Sequence, residues 1–183
     1  MQERPTLATA RLVLRPFTLA DAPDVQRLAG ERDVASTTRN IPHPYPDSMA
    51  EQWIRTHQEH FAQGALVHFA LVRRADHVLL GALSLRINLP DGNAKLGYWI
   101  GKPYWNHGYC TEAAHAVVKY GFEVLGLHRM HASYLTRNPA SGRVLQKLGM
   151  TYEGCLRQHV NKWEVFEDLA LYGILRSEYV SHT

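Results

Sequence analysis

One passage, residues 95–136, constrains the fold more than any other. Lys95 to Ile100 reads as a strand. Ala113, Ala114, Val117, Val118 and Phe122 space out one buried face of a helix, and Arg129 to Thr136 reads as a second strand. A strand, a crossover helix and a strand return parallel within one sheet. Upstream, Val67 to Val72, Val78 to Ile87 and Lys95 to Ile100 are separated by a turn near Ala75-Asp76 and by Pro90-Asp91-Gly92-Asn93. Connections that short join only antiparallel neighbours. The chain therefore predicts a mixed α/β sheet, mostly antiparallel, and not a doubly wound parallel one.

The remaining elements fill in around it. Arg11 to Phe17 alternates polar and apolar, as a strand does. Thr18 and Asp21 open a helix whose apolar face is Ala22, Val25, Leu28 and Ala29. A less regular stretch follows, and the prolines of Asn40-Ile41-Pro42-His43-Pro44-Tyr45-Pro46 make it a loop. Asp47 or Ser48 caps a helix running to about Gly64. Asn138-Pro139 opens a short helix that Gly149 stops, with Val144, Leu145 and Leu148 facing inward. Thr151 to Val160 and Phe166 to Leu175 supply two last strands. That makes about seven strands flanked by helices, in one domain spanning residues 1–183, with no internal repeat or linker.

Composition excludes some classes. A net charge of +3 over 183 residues is too mild to argue for nucleic acid, though it suits an anionic cofactor. Two cysteines far apart, Cys110 and Cys155, are not a disulfide scaffold and fit a reducing compartment, so a cytoplasmic location is expected. The first residues lack the pattern of a secretory leader, and no segment has the length of a membrane span. The dinucleotide fingerprint and the Gly-Lys-Ser/Thr phosphate loop are both absent, which disfavours NAD and ATP.

The functional signal lies in the loop between Ile100 and the central helix. A loop entering a helix N-terminus leaves backbone N–H groups unpaired, and the helix dipole adds partial positive charge there. Such a loop is either an ordinary turn or a cradle for a phosphate or pyrophosphate. Cys110 within it reads more readily as a small packing residue than as a nucleophile. Asn138 is a good N-cap, Pro139 a good first helical residue, and Ser141 falls in the first turn. His57 and His60 have helical spacing but no convincing third ligand, so no metal site is expected. Arg73-Arg74 reads as a solvated turn.

Several segments together resemble the GNAT superfamily of acyl-CoA-dependent N-acetyltransferases, and more narrowly the branch of ribosomal-protein amino-terminal acetyltransferases. The resemblance spans Arg11-Leu12-Val13-Leu14-Arg15-Pro16 to Leu171-Tyr172-Gly173-Ile174-Leu175-Arg176. Its strongest pieces are Gly97-Tyr98-Trp99-Ile100 and Tyr104-Trp105-Asn106-His107-Gly108-Tyr109-Cys110-Thr111-Glu112-Ala113. Arg137-Asn138-Pro139-Ala140-Ser141, Leu148-Gly149-Met150 and Glu153-Gly154 follow in order. The resemblance implies that main-chain amides of Asn106, His107, Gly108, Tyr109, Cys110 and Thr111 bind the pyrophosphate of acetyl-CoA. It places Asn138 beside the pantetheine arm and Ser141 near the thioester sulfur, where a hydroxyl can donate to the departing thiolate. It makes the amides of Trp99 and Ile100 candidate donors to the carbonyl oxygen. Asn106, His107 and Cys110 depart from the residues common in that branch.

The resemblance also implies direct attack by an amine on the thioester. The glutamate that some relatives use as base has no counterpart here; its place falls near His159-Val160. His159 is the substitute candidate, although a surface histidine on a strand is an equally good reading, and Glu153 is another option. The expected acceptor is a protein or peptide N-terminus. A small-molecule amine (polyamine, amino acid or antibiotic) is the alternative, and a CoA-binding regulatory module without turnover is the rival of another class. Trp99, Tyr104 and Trp105 either line the acceptor path or pack in the core. The proline-rich loop with Arg39, Asn40, His43 and Tyr45 is the candidate acceptor wall. Edge pairing through the last two strands is a route to a homodimer; neither nucleic acid nor membrane is an expected partner.

Overall fold

A computed structural model describes residues 3–180. Its strands are β1 Leu7–Ala8, β2 Leu12–Arg15, β3 Leu66–Arg73, β4 Leu79–Asn88, β5 Asn93–Ile100, β6 Arg129–Leu135, β7 Thr151–Lys162 and β8 Val165–Leu175. They form one sheet in the order β1-β2-β3-β4-β5-β6-β8-β7. Every neighbouring pair is antiparallel except β5–β6. The mixed, mostly antiparallel sheet expected from the turns and the crossover is therefore observed, with one strand more than expected. The extra strand is β1, whose two residues pair Leu7 with Leu14 and Ala8 with Val13.

The helices are α1 Ala22–Ala29, α2 Arg32–Thr37, α3 Met49–Arg55, α4 His57–Ala62, α5 Tyr109–Lys119 and α6 Pro139–Lys147. The irregular stretch after α1 contains α2, a helix of six residues. The single helix expected to reach about Gly64 is two helices that break at Thr56, whose hydroxyl donates back to the Trp53 carbonyl at 2.8 Å. No helix among the described residues is long and apolar enough to cross a membrane.

Period-two alternation sorts the core into two layers. On β3, Val67, Phe69 and Leu71 face a core they share with Ala113, Ala114, Val117 and Val118 of α5. Ala70 and Val72 point the other way, to Phe17, Val25, Ala29, Ala50 and Ile54. The larger core thus lies under α5 and α6, and a smaller one lies under α1 and α3.

β5 and β6 hold register only from Asn93↔Arg129 to Leu96↔Ala132. Beyond Leu96, β5 stays with β4, where Trp99 pairs with Ala82 and Ile100 with Gly81. Beyond Ala132, β6 stays with β8, where Leu135 pairs with Leu169. The two central strands therefore part like a V, and the cleft between them opens toward α5 and α6.

A histidine cluster lies under α3 and α4. His57 is 1% exposed and stacks on His68 of β3 at 3.9 Å between ring centroids. Trp53 and Phe17 pack edge-on against His57 at 4.4 and 5.5 Å. Neither ring nitrogen of His57 has a hydrogen-bond partner, nor does Nδ1 of His60 or His68. His68 is the third imidazole that the sequence does not reveal, yet no such group among the described residues is arranged to hold a metal ion.

Burial, reinforced by repulsion from His68, Arg4 and His60, lowers the His57 pKa to about 2. Burial and repulsion from His60, Arg86 and Arg4 lower that of His68 to about 4. The unfolded chain protonates both near 6.5, so it binds more protons than the folded chain as pH falls below that value. Their stabilising contribution is complete above pH 6.5 and is lost progressively toward pH 4 and below. At pH 4.5, about two units below 6.5, the loss is about 3 kcal/mol per imidazole, on the order of 1.4 kcal/mol per pH unit. His57→Phe should therefore flatten the fall in stability between pH 7 and pH 4.5. Urea unfolding followed by circular dichroism at both pH values checks this, and an unchanged difference would refute it.

Candidate acyl-transfer cleft

The V between β5 and β6 becomes a cleft of about 350 Å³, walled by the N-terminal ends of α5 and α6 and by Val34, Thr37 and Thr38. Strand alternation decides which backbone groups face it. The Gly101 amide donates to the Leu80 carbonyl at 2.8 Å, so the amides of Gly101, Trp99 and Gly97 are turned toward β4. Those of Ile100 and Tyr98 are turned the other way, toward the cleft. The Ile100 carbonyl points the same way and accepts the Trp105 indole N–H at 2.7 Å. Of the two amides singled out in sequence, the one from Ile100 faces the opening. Trp99 is among the lining residues, but its N–H belongs to the ladder with β4.

Across the cleft entrance, the first α5 amide to find a carbonyl is that of Glu112, bonded to Gly108 at 3.0 Å. The N–H groups of Asn106 through Thr111 make no hydrogen bond among the described residues. Gly108 has φ 77°, and a Cβ there would sit 3.5 Å from the Arg11 guanidinium. Arg11 reaches in from the turn before β2. Its Nε donates to the Glu112 carboxylate at 2.6 Å, its Nη1 to the His107 carbonyl at 3.0 Å, and its guanidinium lies over the Tyr109 ring at 4.6 Å. The Thr9 hydroxyl and the Arg11 amide also donate to Glu112, at 2.6 and 2.9 Å. Burial alone would raise the Glu112 carboxyl; these hydrogen bonds outweigh it and hold the group below the usual carboxylate range.

α6 supplies the third wall. The Asn138 side chain caps the helix by accepting from the Ser141 amide at 3.4 Å, and its Nδ2 donates to Ser141 Oγ at 3.0 Å. Ser141 Oγ thus accepts from Asn138, which leaves its own proton available. Tyr98 spans the cleft from β5, donating its hydroxyl to the Ser141 carbonyl at 3.1 Å. Burial and the neighbouring Cys110 hold the Tyr98 phenol protonated, well above its ordinary range. Burial pushes the Cys110 thiol up to about 12, so it stays a thiol that packs and does not attack.

Of the residues singled out in sequence, Trp99, Ile100, Asn106, Gly108, Tyr109, Cys110, Thr111, Asn138 and Ser141 line this cleft together. His107 is not among the lining residues: its carbonyl accepts from Arg11, and its ring bonds the Trp105 carbonyl at 2.7 Å and stacks on Tyr109. His159 is exposed on β7 at a register shift between Leu156 and Val160, and it does not line the cleft. Glu153 pairs with Arg129 at 2.6 Å. Of the proline-rich loop residues expected as acceptor wall, none of Arg39, Asn40, His43 and Tyr45 lines the cleft. His43 and Tyr45 line a separate shallow depression beside α1, and it is Thr37 and Thr38, just before the loop, that line the cleft. The β7–β8 hairpin holds this wall in place. Lys162 donates to the Ile41 carbonyl at 2.7 Å, and Arg137, which pairs with Glu167 at 2.6 Å, also donates to the Ser36 carbonyl.

Sequence reading missed Tyr98, Arg143 and Lys147 as lining residues and Arg11 as the anchor of the loop. Arg143 and Lys147 stand four apart on α6, a helical spacing that was visible once the opposite face had been assigned to the core.

The model of the acetyltransferase (GNAT) domain matches residues 11–151. The N-acetyltransferase YoaA of Bacillus subtilis is 31% identical over 182 residues, covering 94% of this chain and 97% of its own. The [ribosomal protein uS5]-alanine N-acetyltransferase of Escherichia coli is 27% identical over 125 residues, 67% of this chain and 63% of its own. A crystal structure of spermidine N-acetyltransferase from Vibrio cholerae, in complex with CoA and spermine, has the same fold. Its TM-score is 0.80 over 93% of this chain and 98% of that one, at 20% identity. A splayed parallel strand pair, an open amide cradle at the α5 N-terminus and a family match over most of the chain converge: the protein belongs to the GNAT family and is an acetyl-CoA-dependent N-acetyltransferase.

Proposed function

We propose that the acceptor is the α-amino group of a protein or peptide N-terminus, acetylated by direct attack while both substrates are bound. One observation carries this reading: among the described residues no aspartate or glutamate lines the cleft. The attacking amine must be neutral. An α-amine, with pKa near ~8, is about one-tenth neutral at pH 7, whereas a lysine-like amine near ~10.4 is neutral in well under one molecule in a thousand. A cleft without a carboxylate base suits the first and handicaps the second by about two orders of magnitude. The similarity to the uS5-alanine enzyme supports the same class; the spermidine enzyme shares the fold and keeps the polyamine as the competing acceptor.

In this reading each wall has a task. The amides of Asn106 to Thr111 and the α5 dipole hold the pyrophosphate, and Asn138 holds the pantetheine arm beside α6. The Ile100 amide, aided by that of Tyr98, donates to the thioester carbonyl oxygen as charge builds there. The amine nitrogen bonds to the carbonyl carbon, the carbon–sulfur bond breaks, and Ser141 Oγ gives its proton to the departing thiolate. The proton lost by the amine passes through water and restores Ser141. His159 takes no part.

Two outcomes test these roles. Ser141→Ala should lower kcat about 100-fold or more while leaving acetyl-CoA affinity within about twofold, as expected for loss of one general acid. Stopped-flow CoA release and calorimetry read the two quantities separately, and an unchanged kcat removes Ser141 from the mechanism. Arg11→Ala removes the cation from the Glu112 carboxylate beside the cradle and leaves it only the Thr9 hydroxyl and the backbone amide of residue 11. It should weaken acetyl-CoA binding about tenfold, about 1.4 kcal/mol, with a much smaller effect on kcat at saturation. Unchanged affinity would mean that the loop holds its shape without Arg11.

A further inference from the structure

The face of the sheet opposite α5 and α6 carries cations that no described residue pairs with. On β4, Ala82, Ser84 and Arg86 point to this face; on β5, Lys95, Gly97 and Trp99 do. Arg86 and Lys95 are direct partners across the antiparallel pair, and Lys95 is in turn the partner of His131 on β6. Like charges directly opposed in a sheet are destabilising. Lys95 is nevertheless half-buried, and burial together with the Arg39 and Arg86 guanidiniums holds it below the usual lysine range. None of Arg39, Arg86 and Lys95 makes an ion pair or a side-chain hydrogen bond among the described residues. The carboxylates nearby are engaged: Glu153 with Arg129, and Glu167 with Arg137.

This cationic strip runs into the catalytic cleft by two routes. Along β5, Lys95, Gly97 and Trp99 share one face, and Trp99 lines the cleft. The strands part just beyond Leu96, so Lys95 stands about 7 Å, two residues of strand rise, behind Gly97 at the start of the opening. Along the other wall, Arg39 directly follows Thr37 and Thr38, which also line the cleft. A peptide whose amine reaches the opening from this side lays its next few residues over Lys95 and Arg86, at about 3.3 Å per residue.

We propose that the enzyme selects N-termini bearing acidic side chains at the second to fourth positions, with Arg39, Arg86 and Lys95 as the selecting residues. The inference rests on the N-terminal reading above and adds to it the chemistry of the residues that follow the amine. Carboxylates there neutralise opposed cations that otherwise repel, and a polyamine or a basic N-terminus adds a further cation to the same strip. Placing charge opposite charge in this way governs specificity and encounter rate more than raw affinity.

The test is a panel of alanine-headed peptides with acidic, neutral or basic residues at positions two to four, together with spermidine. Each is assayed by acetyl-CoA-dependent CoA release at two salt concentrations. The expected result is a kcat/KM at least tenfold higher for acidic than for basic peptides, shrinking as salt rises. The double variant Arg86→Gln, Lys95→Gln should bring the acidic and neutral peptides within about twofold of each other, with the acetyl-CoA KM unchanged. Lys95→Glu should shift the preference toward the basic peptide, a gain that a damaged fold cannot produce. Equal turnover of acidic, neutral and basic peptides overturns the charge selection and leaves the N-terminal reading standing. A preference that survives both variants removes these residues as its source. Turnover of spermidine with none of any peptide overturns the N-terminal reading itself.

Discussion

The loss of hydrogen bonding between β5 and β6 after Leu96 is the constraint on which the rest depends. A continuous parallel pair would satisfy its own amides and leave no opening in the sheet. Here each strand keeps its outer neighbour, β4 for one and β8 for the other, so the sheet remains anchored on both sides of the gap. The inner-facing amides of Tyr98 and Ile100 are left directed into a cleft that the sheet itself makes rigid. A donor held by a ladder on its far side needs no reorganisation when charge develops in front of it, which is the condition for electrostatic catalysis to be efficient.

The same gap joins two environments that the sheet otherwise separates. On the α5–α6 side lie exposed amides, a helix dipole and the basic side chains Arg143 and Lys147, all suited to a phosphorylated cosubstrate. On the other side lie the unpaired cations of β4, β5 and the loop at Arg39. No described carboxylate lines the cleft, so in the proposed mechanism proton removal from the acceptor falls to water. A positive surround supports this, because it disfavours the ammonium form of any amine that enters.

What the sequence makes legible is whatever repeats with a period or carries a cap. The β5–loop–α5–β6 passage has both, and so does Asn138-Pro139 before α6; the sheet type, the amide cradle and the placement of Ser141 followed from them. β1 pairs through two residues, and α2 is six residues with Val34 and Thr37 inside it, so neither offers a periodic signal. His159 stands for the glutamate of some relatives only by its matched position near His159-Val160. β7 slips register between Leu156 and Val160, with Gln158 at φ 50°, so a match by position in sequence does not bring the side chain to the cleft. Tyr98 bonding to Ser141, Arg11 reaching the loop, and Arg86 opposed to Lys95 all depend on residues far apart in sequence, and only the register of the sheet brings them together.

The unusual residues of the cradle show why such a loop can vary without losing its purpose. Asn106 has φ 63°, in the left-handed region that asparagine tolerates better than most residues, so it can hold a backbone conformation that otherwise favours glycine. The His107 ring is fixed outside the cradle by the Trp105 carbonyl and by Tyr109. Cys110 turns inward and packs against the larger core. Each side chain leaves the amides clear, and it is the amides that a phosphate would meet. Gly108 has less freedom to change. Its φ of 77° is strained for any side chain, and a Cβ there would point at the Arg11 guanidinium that bonds both Glu112 and the His107 carbonyl. Backbone geometry, and the one cation that holds it, are therefore the conserved quantities to look for in this loop, ahead of the identity of the residues around them.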